Sequence, residues 1–204
     1  MKKIAVDVAL LPPEEIADLA IKLNHELVGP EKNKIILGKK EGEAMPHMTL
    51  LMGCVEEGDL MEMGKMGEEI SNNISLLELG IYGVDEEIIR KNTLVSSLGI
   101  RKIPEIQNFH EKVLREFQNF FRGSASREMF YNPLKVSMEE FSYIDQFPQV
   151  AGLAKFYPHF TLGLGKIVKS GVNFPIEFKP ARLAICHLGD YYTCRKILWS
   201  KELN

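Results

Sequence analysis

Pro46-His47-Met48-Thr49-Leu50 occurs a second time in this chain, with one substitution, as Pro158-His159-Phe160-Thr161-Leu162. The two copies begin 112 residues apart, and a glycine follows the leucine of each copy three residues later, at Gly53 and Gly165. Both copies lie in apolar runs of strand length that are bounded by proline and glycine, which is the pattern of a β-strand. The chain is therefore predicted to contain two strands that carry the same side chains at the same positions.

In a β-strand, residues two apart project to the same face. His47 and Thr49 are therefore predicted to share one face of the first strand, and His159 and Thr161 one face of the second. Each strand offers an imidazole beside a hydroxyl, while its other face packs in the core. A single histidine at the start of a strand is more often structural than catalytic, but two histidines in matched positions favour a functional pair.

The paired H-x-T-L stretches resemble the signature of the two-histidine (2H) phosphoesterase superfamily, which includes the 2'-5' RNA ligases and the 2',3'-cyclic nucleotide phosphodiesterases. Residues 4–15 also look like the first strand and first helix of that family. The resemblance covers nearly the whole chain. It implies two pseudo-symmetric lobes, each an antiparallel sheet with helices on its outer face, and a central cleft to which each lobe contributes one motif.

Strands interleaved with helices over short connections also indicate an α+β fold with antiparallel sheets. We expect residues 1–204 to form a single bilobal domain, with an internal repeat of roughly 1–90 and 91–204 that carries one motif in each half. Residues 3–10 alternate between apolar positions and a second set that includes Asp7, which predicts a strand with one buried face. Residues 85–87 are predicted to form a solvated acidic turn. His110, beside the apolar stripe of a predicted helix over 104–121, is expected to be structural and partly exposed.

Charge and composition limit the possible partners. The net charge of −3 argues against a protein that grips long nucleic acid, which requires a basic face, but it is compatible with a nucleotide or an RNA end. Three cysteines without C-x-x-C spacing are typical of reduced thiols in a cytoplasmic protein. No apolar run approaches the length of a membrane span, and we expect a monomer without a membrane partner.

Cleavage of a phosphodiester requires a base, an acid and donors to the non-bridging oxygens. His47 and His159 are the predicted catalytic pair, because an unperturbed imidazole pKa of about 6.5 suits both proton roles. Thr49 and Thr161 are the predicted phosphate-binding residues. Such a site needs neither a metal nor a cofactor, and the motifs do not indicate which histidine is the base.

The resemblance and the chemistry favour a hydrolase: a metal-independent phosphodiesterase acting on a 2',3'-cyclic phosphate or a 2'-5' linkage in RNA processing. Cyclic mononucleotides, tRNA fragments, 2'-5' oligoadenylate and ADP-ribose cyclic phosphate all remain possible substrates. Tyr157, two residues before the second histidine, is the predicted rim residue, where an aromatic ring can stack on a nucleobase.

Two alternatives remain open. The cleft could bind a nucleotide or RNA end without turning it over, although binding alone needs no symmetric pair of proton donor and acceptor. A metal held by both histidines would need further ligands, and threonine is a poor one. Cys186, His187 and Cys194 lack a fourth ligand at a recognisable spacing, so they do not indicate a metal site either.

Overall fold

Two four-stranded antiparallel sheets form the centre of the fold in this computed structural model, which describes residues 2–72, 77–89, 93–133, 136–168 and 171–203. The strands are, in chain order, β1 (Lys3–Leu11), β2 (Leu27–Val28), β3 (Met48–Glu56), β4 (Leu79–Ile89), β5 (Thr93–Ile100), β6 (His159–Leu164), β7 (Lys166–Ile167), β8 (Ile176–Phe178), β9 (Arg182–Leu188) and β10 (Cys194–Glu202). The helices are α1 (Glu14–His25), α2 (Leu60–Asn72), α3 (Pro104–Phe117), α4 (Met138–Asp145) and α5 (Phe147–Val150). Within these ranges no helix is both long and apolar enough to cross a membrane.

The first sheet has the strand order β10-β9-β1-β3 and the second has the order β6-β5-β4-β8, with antiparallel pairing throughout. The predicted α+β class with antiparallel sheets is therefore confirmed. The boundary predicted between the halves of the repeat falls at residues 90 and 91, outside the described residues. Each sheet takes strands from both sides of that boundary, and the single bilobal domain stays a prediction.

The two motif strands are edge strands, one in each sheet. β3 carries the first motif at the end of the first sheet, and β6 carries the second motif at the end of the second sheet. β3 and β6 contact each other where the two sheets meet. The fold thus brings together two motifs that lie 112 residues apart in the sequence.

β1 is buried on both faces, although the alternation of residues 3–10 predicted one buried face. It lies between β9 and β3, and residues 4–11 are all buried. Asp7, which lies on the face that was not predicted to be buried, is 0% exposed. An ionised carboxylate is unfavourable at such a position unless hydrogen bonds or a cation stabilise its oxygens. The groups around Asp7 therefore determine whether it is charged.

His110 of α3 joins the first motif strand to the segment that precedes the second motif. Its Nδ1 donates to the carbonyl of Leu50 at 2.9 Å, and its Nε2 accepts from the backbone N–H of Leu153 at 3.0 Å. Its ring stacks on Phe156 with the centroids 4.0 Å apart. His110 is 0% exposed, so the prediction of a partly exposed side chain is wrong. Burial lowers the pKa of His110 to about 4.

Acidification should destabilise the fold through His110. Its pKa in the folded chain, about 4, lies below the unfolded value of about 6.5, so the unfolded chain takes up the proton first and stability falls as the pH drops between these values. One proton gives a limiting slope of about 1.4 kcal/mol per pH unit. His110→Gln keeps a donor and an acceptor but does not titrate.

Urea unfolding of the wild type and His110→Gln at pH 7 and pH 5 measures this effect. The wild type should lose roughly 1–2 kcal/mol more than the variant between the two pH values. Equal losses would show that His110 does not contribute to the pH dependence.

Candidate active site

The two motif histidines make the same local hydrogen bond. His47 Nδ1 donates to the carbonyl of Met45 at 2.7 Å, and His159 Nδ1 donates to the carbonyl of Tyr157 at 2.8 Å. Because a carbonyl oxygen only accepts, the proton of each neutral ring lies on Nδ1 and Nε2 keeps its lone pair. Nε2 is therefore the atom available for proton exchange in both motifs.

The proline of each motif accounts for this geometry. Pro46 and Pro158 lie between the histidine and the carbonyl to which it donates. Proline holds its own φ near about −65° and keeps the preceding residue extended, which restricts the direction of that preceding carbonyl. In each P-H-x-T-L copy, the proline thus orients the carbonyl and the carbonyl orients the imidazole.

The structure brings the two motif strands, β3 and β6, into contact. His47 directly precedes β3 and its side chain is 12% exposed, whereas His159 opens β6. Burial and, to a smaller extent, the positive charge of His159 lower the pKa of His47 to about 4. Burial also lowers the pKa of His159. Thr49 and Thr161 are half-buried at matching positions of the two strands.

Asp7 lies directly behind the first motif and was not among the predicted site residues. Its Oδ2 lies 2.6 Å from the Thr49 hydroxyl oxygen and 3.4 Å from His47 Nε2. Its Oδ1 has no hydrogen-bond partner among the described residues. Burial raises the pKa of Asp7 to about 8, against the opposing effect of the Thr49 hydrogen bond. The only sequence signal was an acidic residue in an otherwise apolar strand.

One group of side chains in the described ranges could offer ligands to a metal: atoms of Asp7, His47 and Cys194 lie within 4.8 Å of one another. Zinc would require the Cys194 thiolate. Burial raises the pKa of that thiol well above its usual range, and a hydrogen bond with Cys186 raises it further. His187 is directed elsewhere, with Nε2 2.9 Å from the carbonyl of Met129. The raised pKa of Cys194 belongs to the metal-free thiol, which a bound zinc ion would deprotonate. The metal-free site therefore stays a prediction.

Tyr157 flanks the second histidine. Its ring stacks on His159 at a centroid distance of 5.1 Å and an interplanar angle of 25°. Its hydroxyl donates to Asp85 and lies 3.1 Å from the hydroxyl of Tyr82. Asp85 belongs to β4, which continues to Ile89, so the prediction of a turn over 85–87 is wrong, whereas Glu86 and Glu87 are exposed as predicted. The carboxylates of Glu87 and Asp85 raise the pKa of His159 against the effect of burial.

Tyr143 of α4 lies near the first motif. Its ring lies 4.7 Å from that of Tyr192, whose backbone carbonyl raises the pKa of His47 against the effect of burial. Burial raises the pKa of Tyr143, as do the charges of Asp7 and Glu87. Tyr192 has a left-handed φ of 57°, a strained conformation for a residue other than glycine. This conformation accompanies the approach of the Tyr192 backbone to the first motif.

Several solved structures share this fold. TT0787 of Thermus thermophilus matches with a TM-score of 0.58 over 98% of each chain at 15% identity. LigT of E. coli, complexed with NADP+, matches with a TM-score of 0.53 over 99% of each chain at 15% identity. A further structure described as a phosphoesterase matches with a TM-score of 0.52 at 12% identity, over 98% of this chain and 99% of the other.

No family model and no curated protein matches the sequence. At identities of 12–15% the structural matches show the fold alone. That fold, with its antiparallel sheets and helices, agrees with the resemblance to the two-histidine phosphoesterase superfamily.

Replacement of His159 should shift the pKa of His47. Because a positive charge on His159 lowers the pKa of His47, His159→Gln should raise the pKa of His47. A proton NMR titration of the His47 ring measures this shift. His25→Gln, which changes an exposed histidine at the end of α1, is the control and should leave the His47 titration unchanged. The same His47 pKa in all three proteins would show that the two rings do not share a cleft.

Proposed function

We propose that this protein is a metal-independent phosphodiesterase that cleaves a 2',3'-cyclic phosphate or a 2'-5' phosphodiester of a nucleotide or RNA end. The observation that supports this most is the matched anchoring of His47 and His159 by backbone carbonyls, at 2.7 and 2.8 Å, which leaves both Nε2 atoms for proton transfer. The location of the two motifs on contacting edge strands supports it further.

In the proposed reaction, one Nε2 removes a proton from the attacking water as its oxygen bonds to phosphorus. The ester P–O bond on the opposite side then breaks, and the protonated Nε2 of the other histidine delivers a proton to the leaving ribose oxygen. A cyclic phosphate thereby becomes a phosphomonoester. Thr49 and Thr161 donate to the non-bridging oxygens, where negative charge increases in the transition state.

The choice of a nucleotide substrate draws on the structural matches. LigT, which shares the fold, has been crystallised with NADP+ and with 3'-AMP, the latter matching this chain with a TM-score of 0.50. The exposed ring of Tyr157 beside His159 adds a surface on which a base can stack. Both observations favour a nucleotide over a simple phosphodiester.

Hydrolysis of a panel of 2',3'-cyclic nucleotides and 2'-5' linked dinucleotides in EDTA tests the proposal. His47→Ala and His159→Ala should each lower kcat/KM by at least about 100-fold, the usual scale for a proton-transfer group. His25→Ala is the control for the loss of an imidazole elsewhere and should keep wild-type activity.

Near-normal activity of either active-site variant would contradict the assignment. Activity lost in EDTA and restored by zinc would instead point to the group formed by Asp7, His47 and Cys194. If no substrate is consumed while nucleotides raise the melting temperature, the cleft is a binding site and the protein is not a hydrolase.

A further inference from the structure

Asp7 reaches the first motif through the pairing of β1 with β3. Ala9 of β1 lies opposite Thr49, and a register shift between Val8 and Ala9 separates this pair from the regular ladder below it. Asp7 lies two residues before Ala9 and therefore on the same face. Its carboxyl group contacts both functional side chains of the motif, at 2.6 Å from the Thr49 hydroxyl and 3.4 Å from His47 Nε2.

The Thr49 hydroxyl has one proton, so the charge of Asp7 decides where that proton points. Next to an ionised Asp7, the hydroxyl donates to Oδ2 and has no proton left for a phosphate oxygen. The same anionic oxygen then faces the lone pair of His47 Nε2, because Nδ1 holds the ring proton. Asp7 Oδ1 meanwhile lies buried without a partner among the described residues. The first consequence stabilises the carboxylate but leaves Thr49 without a proton for a phosphate, and its effect on the pKa of Asp7 is smaller than that of burial. The other two consequences are unfavourable.

A proton on Asp7 Oδ2 removes the first two of these consequences and lessens the third. The carboxylic acid donates to the Thr49 oxygen across the observed 2.6 Å, and the Thr49 proton becomes free for the cleft. The negative charge beside His47 Nε2 disappears. The unpaired Oδ1 then belongs to a neutral group, which costs less to bury than a carboxylate. The raised pKa of Asp7, which results from burial, agrees with this state.

Apart from His47, none of the described titratable side chains that face Asp7 from the neighbouring strands and helix can carry a positive charge. Cys186 lies opposite it on β9, and Cys194 of β10 and Tyr143 of α4 lie within electrostatic range. Thiols and a phenol are neutral or anionic, so they do not stabilise a carboxylate. Nothing in this set of described neighbours opposes the neutral acid.

The second motif has a different arrangement. Thr161 has no hydrogen-bond partner for its hydroxyl in the part of the chain that the structure describes, so its proton is already free for a ligand. Thr49 reaches the same state only through a protonated Asp7. The neutral acid therefore gives the two threonines equal donor capacity.

We propose that Asp7 is a positioning residue of the first motif: as a neutral carboxylic acid, it donates a hydrogen bond to Thr49 and so directs the Thr49 proton to the bound phosphate. This inference rests on the proposed role of Thr49 as a phosphate-binding residue. It predicts that the first motif binds the phosphate less strongly when Asp7 is ionised. Asp7 itself does not contact the substrate.

Kinetics of Asp7→Asn and Asp7→Ala on a hydrolysed cyclic nucleotide test the role of Asp7. The amide N–H of asparagine can replace the acid as the donor to Thr49. The kcat of Asp7→Asn should therefore stay roughly tenfold above that of Asp7→Ala. A tenfold change is the scale of one charge-assisted hydrogen bond, here from Thr49 to the phosphate. The activity of Asp7→Asn relative to the wild type should rise between pH 7 and pH 9, because asparagine cannot ionise. In a Thr49→Val background, the difference between the two Asp7 variants should vanish.

If Asp7→Asn is as inactive as Asp7→Ala at every pH while both remain folded, Asp7 acts as a carboxylate and the proposal is wrong. An undiminished difference in the Thr49→Val background would overturn it as well, since Asp7 would then act by another route.

Two measurements that need no catalytic activity test the role of Asp7 independently of the proposed function. The ¹³C NMR signal of the Asp7 carboxyl in the wild type should titrate well above the ordinary aspartate range, and a midpoint near 4 would overturn the inference. Calorimetric binding of inorganic phosphate should be weaker to Thr49→Val than to the wild type at pH 6.5, and equal affinity would remove Thr49 from the phosphate site. If no substrate is hydrolysed, these two results still decide the role of Asp7.

Discussion

The hydrogen bond from each imidazole Nδ1 to the carbonyl two residues earlier is the constraint on which the site depends. It fixes the tautomer of His47 and His159 and leaves Nε2 of each ring unprotonated. The proline between histidine and carbonyl makes the arrangement local, so each short motif builds its own half of the site. The fold has only to bring two such strands together. It does this by placing them at the edges of two sheets that contact each other.

Identical local geometry does not give the two histidines identical surroundings. His47 has a buried carboxyl group and a backbone carbonyl near its ring, whereas His159 stacks on Tyr157 and senses the carboxylates of Glu87 and Asp85. The second histidine therefore lies in the more negative environment, which opposes the effect of burial on its pKa. Such a difference can divide the acid and base roles between two rings that the sequence motif presents as equivalents.

The sequence predicted what depends on short-range patterns. The α+β class, the antiparallel sheets and the strands that carry the motifs all follow from alternation, turn residues and the repeated motif. The contact between Asp7 and Thr49 could not be predicted in the same way, because it depends on the register of β1 against β3 and on an irregularity in that ladder. The misassigned acidic stretch has a similar cause: Asp85 is held by Tyr157, 72 residues further along the chain.

Burial keeps the candidate site close to neutral. It lowers the pKa of His47 and His159 and raises that of Asp7, so all three groups favour their uncharged forms near pH 7. In the proposed reaction, a phosphodiester would introduce the dominant negative charge, and that charge would raise the pKa of the imidazoles beside it. In the proposed reaction, the substrate itself thus promotes the protonated histidine that the leaving oxygen requires. A carboxylate at Asp7 would weaken this dependence on substrate, because it would favour a cationic His47 before any phosphate is bound.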